Sequence, residues 1–203
     1  MKAVVFAEHG GVEKLKYSEV DKPKISAGEV LVKVKACALN HLDIWTCQGL
    51  PGIKIPLPHI LGCDIAGIVE ETRSGVSRFK KGDAVLISPG QGCGHCHACY
   101  SGKDSFCAEY KIMGFQINGG YAEFVKTEER HLLPISSKYK FEEWAAVPLV
   151  FLTAWHMLVT RAQLQAGESV LVHAAGSGIG SAAIQIAKLA GARCTPLQAQ
   201  QTS

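Results

Sequence analysis

The sequence predicts a β-rich, partly closed barrel followed by the opening elements of an α/β unit, and three features carry that expectation. Val30, Val32 and Val34 alternate with Leu31, Lys33 and Lys35, a period of two that belongs to a strand with one buried face. From Phe141 to Val159 the chain is a long apolar run rich in Ala, Leu and Trp, and its length favours buried helix over strand. Ser169-Val170-Leu171-Val172, the turn Ala174 to Gly180 and an alanine-rich segment through Leu189 then read as strand, glycine turn and helix, with Gly191 ending the helix.

The remaining strands of the barrel are expected at Lys2 to Ala7, Ile65 to Glu70, Ala84 to Ile87 and Tyr121 to Val125. Each is flanked by Gly, Pro or charged turn residues such as Lys81-Gly82-Asp83. The organisation is a β-rich domain at 1–140, an α/β segment at 141–193 and a divergent polar end at 194–203.

Between the strands lies the most specific motif, Cys93-Gly94-His95-Cys96-His97-Ala98-Cys99 followed by Cys107. Two-residue gaps let a tight turn aim neighbouring thiolates at one centre, so Cys93, Cys96, Cys99 and Cys107 read as the ligands of one zinc in a lobe at about 90–110. A shell filled by four protein sulfurs leaves no position for water or substrate, which makes the metal structural. A pair of disulfides or four buried thiols would use the same residues, and His95 and His97 are either exposed turn residues or competing ligands.

Composition narrows the setting. With 47% hydrophobic residues the 203-residue chain can bury a real core, as one large or two small domains. Met1 to Phe6 has no signal-peptide core, and no apolar stretch is expected to reach bilayer length, so the eight cysteines point to a reducing cytoplasm rather than to a secreted scaffold. A net charge of +3 spread over scattered lysines lacks the basic stripe that nucleic acid requires. Neither nucleic acid nor a membrane is an expected partner.

In the α/β segment, Gly176, Ser177, Gly178, Ile179 and Gly180 open a helix as a dinucleotide-binding turn does, with backbone N–H groups free to face a pyrophosphate. The usual Gly-x-Gly-x-x-Gly register would place glycine at 181, where Ser181 stands. A tight helix-on-strand turn without any ligand fits the same residues.

Taken in order, these features resemble the medium-chain dehydrogenase/reductase superfamily, in its zinc-containing alcohol dehydrogenase-like and quinone oxidoreductase-like branches. The resemblance runs from Met1 to about Arg193 and rests on Gly28 to Val34, Asn40-His41-Leu42-Asp43, Gly62 to Gly67, Lys81 to Val85, Gly119 to Glu123 and Leu152 to Trp155. It implies a GroES-like substrate domain joined to an incomplete Rossmann-type domain, with a nicotinamide in the cleft between them.

The same resemblance locates the positions of a second, catalytic zinc, and here they hold Asn40, Cys63 and Leu149. An amide is a poor zinc ligand and an isobutyl group is none, so alcohol oxidation on zinc is disfavoured. A site built from Cys63, Asp64 and His59 is the unusual alternative. Asn40 with Asp43 matches the quinone-reductase branch, which implies direct hydride transfer from NADPH or NADH to a quinone or conjugated carbonyl, with Asn40 and Asp43 in the catalytic cleft. His41 would lie near the cofactor pyrophosphate and Thr153 near the nicotinamide. Read without the resemblance, Asn40 is a turn residue, His41 a surface histidine and Thr153 a helix threonine bonding to its own turn. A homo-oligomer is compatible with this reading.

Past Ala192 the resemblance ends. Pro196 cannot donate to a central ladder and the Gln-rich end offers no apolar face, so only part of a second strand is expected there. Dinucleotide binding by these residues alone is therefore expected to be weak or lost. A non-catalytic zinc-bearing chain that pairs with a longer relative is the alternative.

Overall fold

The computed structural model describes residues 1–197, and residues 198–203 of the expected tail lie outside the described residues. The chain forms two compact units, Met1–Pro148 and the segment from Leu149 onward.

In the first unit, β1 (Lys2–Phe6) pairs antiparallel with β2 (Lys16–Glu19). β3 (Glu29–Ala38) leads directly into α1 (His41–Gln48). β4 (His59–Ile60), β5 (Asp64–Thr72) and β6 (Ala84–Ile87) follow. A short antiparallel pair, β7 (Gly90–Gln91) and β8 (Lys111–Ile112), brackets the cysteine lobe, in which α2 spans His97–Tyr100. β9 (Phe124–Glu128), β10 (Leu132–Pro134) and α3 (Phe141–Ala145) complete the unit.

The strands form an antiparallel five-stranded sheet, β10-β6-β5-β3-β9, and a smaller sheet, β2-β1-β4. The two are linked through Tyr121–Glu123: the Val4 N–H donates to Tyr121 at 2.8 Å and the Val34 N–H to Glu123 at 2.9 Å. That use of 121–123 corrects the expected strand at Tyr121–Val125. The ladder begins only at Phe124, because the preceding backbone joins the two sheets. The partly closed barrel encloses Val30, Val32, Ile65, Val69, Val85, Ile87 and Leu132, all nearly inaccessible.

The alternation in β3 is only partly obeyed. Leu31 is as buried as Val30 and Val32, and Val34 is half-exposed, because irregularities in the β3–β5 register at Leu31/Val32 and Val34/Ala36 break the strict two-residue period.

The expected long helix is interrupted. α3 ends at Ala145, and α4 (Pro148–Trp155) starts with a proline, whose missing N–H is tolerated only in a first helical turn. A π-helical stretch, His156–Arg161, continues it. α3 lies over the barrel with Phe141, Trp144 and Ala145 against Ala66 and Leu86, so the first unit extends beyond the expected boundary at 140. The run Phe141–Arg161 spans 21 residues and contains an 18-residue window of mean hydropathy 1.3, so by length and composition alone it is long and apolar enough to cross a membrane, contrary to the expectation that no stretch is.

In the second unit, β11 (Ser169–His173), α5 (Gly178–Leu189) and β12 (Arg193–Leu197) form a βαβ with parallel strands. α5 turns Ala182, Ala183, Ile186 and Ala187 inward, and Ala154 of α4 and Val172 of β11 share that core. Small side chains let helix and strand approach closely. Where only part of a second strand was expected, β12 pairs along all five residues of β11, with Pro196 opposite Val172 in the ladder. A proline is accommodated there because β12 is bonded on only one side among the described strands, so an edge position can lose its N–H.

Candidate functional site

The first candidate site is the cysteine lobe. β7 and β8 bring its two ends together, Cys96 precedes α2, Cys99 lies on α2, and Cys107 follows a 3-10 turn at Asp104–Phe106. The sulfurs of Cys93, Cys96, Cys99 and Cys107 all lie within 4.8 Å of one another, and Cys93 Sγ is 4.0 Å from Cys99 Sγ. Zinc–sulfur bonds of about 2.3 Å in a tetrahedron place sulfurs about 3.8 Å apart, so the set fits zinc with little movement. None of the eight cysteines is paired, and the 4.0 Å between the Cys93 and Cys99 sulfurs is a metal-ligand spacing rather than that of a disulfide, about 2.05 Å.

The lobe also carries the groups that support a thiolate shell. The Cys93 N–H points at Cys107 Sγ, 3.4 Å away. At Cys99 the backbone N–H of Gly94 favours the thiolate, but desolvation and the neighbouring sulfurs of Cys96, Cys107 and Cys93 outweigh it and raise the thiol to about 11. Only a cation among the sulfurs would reverse that balance. Arg130, which the sequence did not single out, clamps the lobe to the barrel. Its Nη1 donates to the Cys93 carbonyl at 2.6 Å and its Nη2 to Glu128 at 2.9 Å. Any side chain at Gly94 would overlap the Arg130 guanidinium, and its φ of +77° favours glycine in any case. His95 and His97 are exposed.

Beside the clamp, His131 accepts from Arg130 Nε at 3.2 Å, and burial, then the Arg130 charge, lowers its pKa to about 4. An unfolded histidine titrates near 6.5, so the unfolded chain binds more protons between these values. Stability is expected to be complete above about pH 6.5 and to fall as pH drops toward 4. Urea midpoints at pH 7 and pH 5 should differ less in His131→Gln than in the parent chain, and an unchanged difference would refute the assignment.

The second site lies where β3 ends. The β3–β5 register sets Ala38 opposite Asp64, so the next turn carries Asn40 to the start of β5. Asn40 precedes α1, and its side-chain Nδ2 donates to Asp64 Oδ2 at 2.9 Å and approaches Cys63 Sγ at 3.5 Å. Its backbone N–H donates to Asp43 Oδ2 at 2.7 Å. Asp43, buried at 8% exposure, also accepts from the Tyr121 hydroxyl at 2.7 Å and from the Gly62 N–H at 3.2 Å. Three distant segments thus meet on one carboxylate. Gly62 is required at this crossing: with φ of +95°, a β-carbon would stand 2.6 Å from the Tyr121 ring and 2.7 Å from Cys37 Sγ.

Burial, reinforced by Asp64 and Asp43, pushes the Cys63 thiol far up, and burial with the same two carboxylates does so at Cys37. The Tyr121 phenol rises for the same reason, burial first and its bond to Asp43 second. All three stay protonated at neutral pH. The group Cys63, Asp64 and His59 is not among those that gather metal-ligating atoms within 4.8 Å in the described residues. His59 instead lies edge-on to Phe6 at 5.7 Å. Tyr121 and Cys37 are the members that sequence reasoning did not assign to the site, and Asp64, weighed there only as a metal ligand, instead accepts from Asn40. Gly119-Gly120-Tyr121 was visible as a motif, whereas nothing local marked Cys37.

His41 is exposed and sits against Trp45, ring centres 4.8 Å apart. Thr153 is half-buried on α4, beside the buried Ala154. In the glycine turn, Ser177 Oγ caps α5 by accepting from Gly180 N–H at 3.0 Å, and Gly178 and Ile179 occupy the first helical positions. Those two N–H groups have no carbonyl within the helix to bond, which suits a phosphate. Gly180 packs tightly against the turn that follows β11, since a β-carbon there would strike the Ala174 backbone. Asn40, Asp43 and His41 belong to the first unit, Thr153 and the glycine turn to the second.

A GroES-like, partly closed barrel with a four-cysteine lobe, followed by a Rossmann-type βαβ, defines the class. The chain belongs to the alcohol dehydrogenase GroES-like domain family of the medium-chain dehydrogenase/reductase superfamily, and the family model matches residues 26–137. It is 38% identical over 193 residues to an alcohol dehydrogenase of Geobacillus stearothermophilus, covering 94% of this chain and 56% of the relative. It is 36% identical over 192 residues to the quinone oxidoreductase of Rattus norvegicus, covering 94% and 50%. A crystal structure of an NAD-dependent alcohol dehydrogenase superposes with a TM-score of 0.95 at 46% identity, covering 99% of this chain and 59% of that one. The chain spans about half the length of the curated relatives it matches.

Proposed function

We propose that the chain is the substrate domain and the start of the cofactor domain of an NAD(P)H-dependent oxidoreductase that reduces a quinone or conjugated carbonyl, with a structural zinc only. The observation that carries this reading is Asn40. At the position of a catalytic zinc ligand stands an amide whose donor group is already committed to Asp64 and Cys63.

Zinc held by Cys93, Cys96, Cys99 and Cys107 would keep the lobe in shape. The bound dinucleotide would supply the hydride, its pyrophosphate held by the Gly178 and Ile179 N–H groups with Gly176, Ser177 and Gly180 shaping the turn, and His41 and Thr153 near its phosphates and nicotinamide. Asp43 and Asp64 fix Asn40 through its backbone and side-chain donors, leaving Oδ1 as the accepting atom of a rigid amide. Such a site positions reactants more than it activates them. Substrate oxygen charge would be met by donors or solvent. Eight free cysteines suit a reducing, cytoplasmic setting.

The alcohol dehydrogenase relatives favour a second reading, zinc-dependent alcohol oxidation. The chain extended with a complete nucleotide-binding domain from a relative is expected to oxidise NADPH in the presence of quinones, without loss after removal of weakly held metal. Chelator-sensitive oxidation of simple alcohols with no quinone turnover would reverse the assignment. Residues 1–203 on their own are expected to bind NADPH weakly and turn over negligibly, and micromolar saturable binding with quinone-dependent oxidation would contradict that.

A further inference from the structure

Beside the four sulfurs lies a second group with the chemistry of a metal site. Cys93, His95 and Glu109 bring a sulfur, an imidazole nitrogen and a carboxylate oxygen within 4.8 Å of one another. We propose that the lobe binds a second divalent ion of zinc-like preference at Cys93, His95 and Glu109, with the Cys93 thiolate shared between this ion and the structural zinc.

The His95 ring is already held as a ligand imidazole is held. Its Nδ1 lies 2.9 Å from the Cys93 carbonyl, a bond that requires the proton on Nδ1 and so leaves the Nε2 lone pair free. Nε2 faces Glu109 Oε1 across 3.9 Å, a gap that a bridging ion shortens by drawing in two solvent-exposed side chains. Sulfur, nitrogen and oxygen together are a donor set that zinc accepts, and water would fill the fourth position. Electrostatics agree. Four thiolates around one Zn²⁺ carry a formal excess of two negative charges, to which Glu109 adds another, and Arg130 on the Cys93 carbonyl offsets only part. With two of its three side chains about 70% exposed, His95 at 71% and Glu109 at 68%, the ion would be held less tightly than the one enclosed by four sulfurs.

This inference rests on the reading of the four cysteines as the structural zinc site, and metal stoichiometry separates the two. The 203-residue chain, loaded with zinc and dialysed against a weak chelator, is titrated with Zn²⁺ and with Co²⁺. The expected result is one retained zinc and one further, weaker equivalent, with a sulfur-to-cobalt charge-transfer band when Co²⁺ fills it. The exposed substitutions His95→Ala and Glu109→Ala should remove or strongly weaken the second equivalent and leave the first. His97→Ala should change neither. Retention of one zinc without a second equivalent overturns the proposal and spares the structural site, whereas failure to retain any zinc overturns both. A second cobalt without the sulfur band, or one that persists in His95→Ala, also overturns it.

Discussion

Replacing Cys99 with serine is expected to strip zinc from the lobe and to lower the unfolding free energy by more than about 4 kcal/mol, in the range reserved for lost metals and broken cores. The four sulfurs sit within 4.8 Å of one another, held by backbone turns, the β7–β8 pair and the Arg130 clamp rather than by an apolar core. The lobe contributes no side chain other than Cys107 to the buried hydrophobic set between Cys93 and Cys107, so metal binding free energy is most of its folding free energy. Elemental analysis and urea midpoints of Cys99→Ser and of the control Cys194→Ser would check this. Stoichiometric zinc in Cys99→Ser, or equal losses in both variants, would count against the structural role.

The second large effect is expected at Asp43. Its carboxylate accepts from Asn40, Gly62 and Tyr121, and Asp43→Ala leaves all three donors without that partner. At about 1–3 kcal/mol for each buried donor, partly relieved by water, the loss should be on the order of 3–5 kcal/mol. Tyr121→Phe removes one donor and keeps the ring, so about 1 kcal/mol is expected. A double-mutant cycle between the two positions should show coupling, because the Tyr121 hydroxyl donates directly to the Asp43 carboxylate. Additive losses would mean that the hydroxyl is supported by water instead.

These two sites differ in how far the sequence revealed them. The cysteine set is local: its ligands lie within one short stretch, and spacing alone states the geometry. Asp43 could be matched to a family pattern, but its partners Gly62 and Tyr121 are 19 and 78 residues away in the chain. No local period encodes that meeting. It is created by the β3–β5 register and by the backbone link between the two sheets, which also displaced β9 from its expected start. Arg130 was hidden for a different reason, since it stands in a charged stretch, Glu128-Glu129-Arg130, that reads as solvated surface. Pro148 was legible as a helix start, and apolar composition masked it. Pro196 misled in the opposite sense, because a rule about central strands was applied to an edge.

The ten-residue β3, bonded to β5 on one side and β9 on the other, gives the protein an internal clock. Its amides should exchange with deuterium only when the whole unit opens, whereas those of the cysteine lobe need only the lobe to loosen. The ratio of the two rates, read in one mass-spectrometric experiment, therefore reports metal occupancy without any measurement of metal. Withdrawing zinc should leave residues 93–107 exchanging with almost no protection, while the β3 amides, quickened only by the fall in global stability, remain the slowest of the unit.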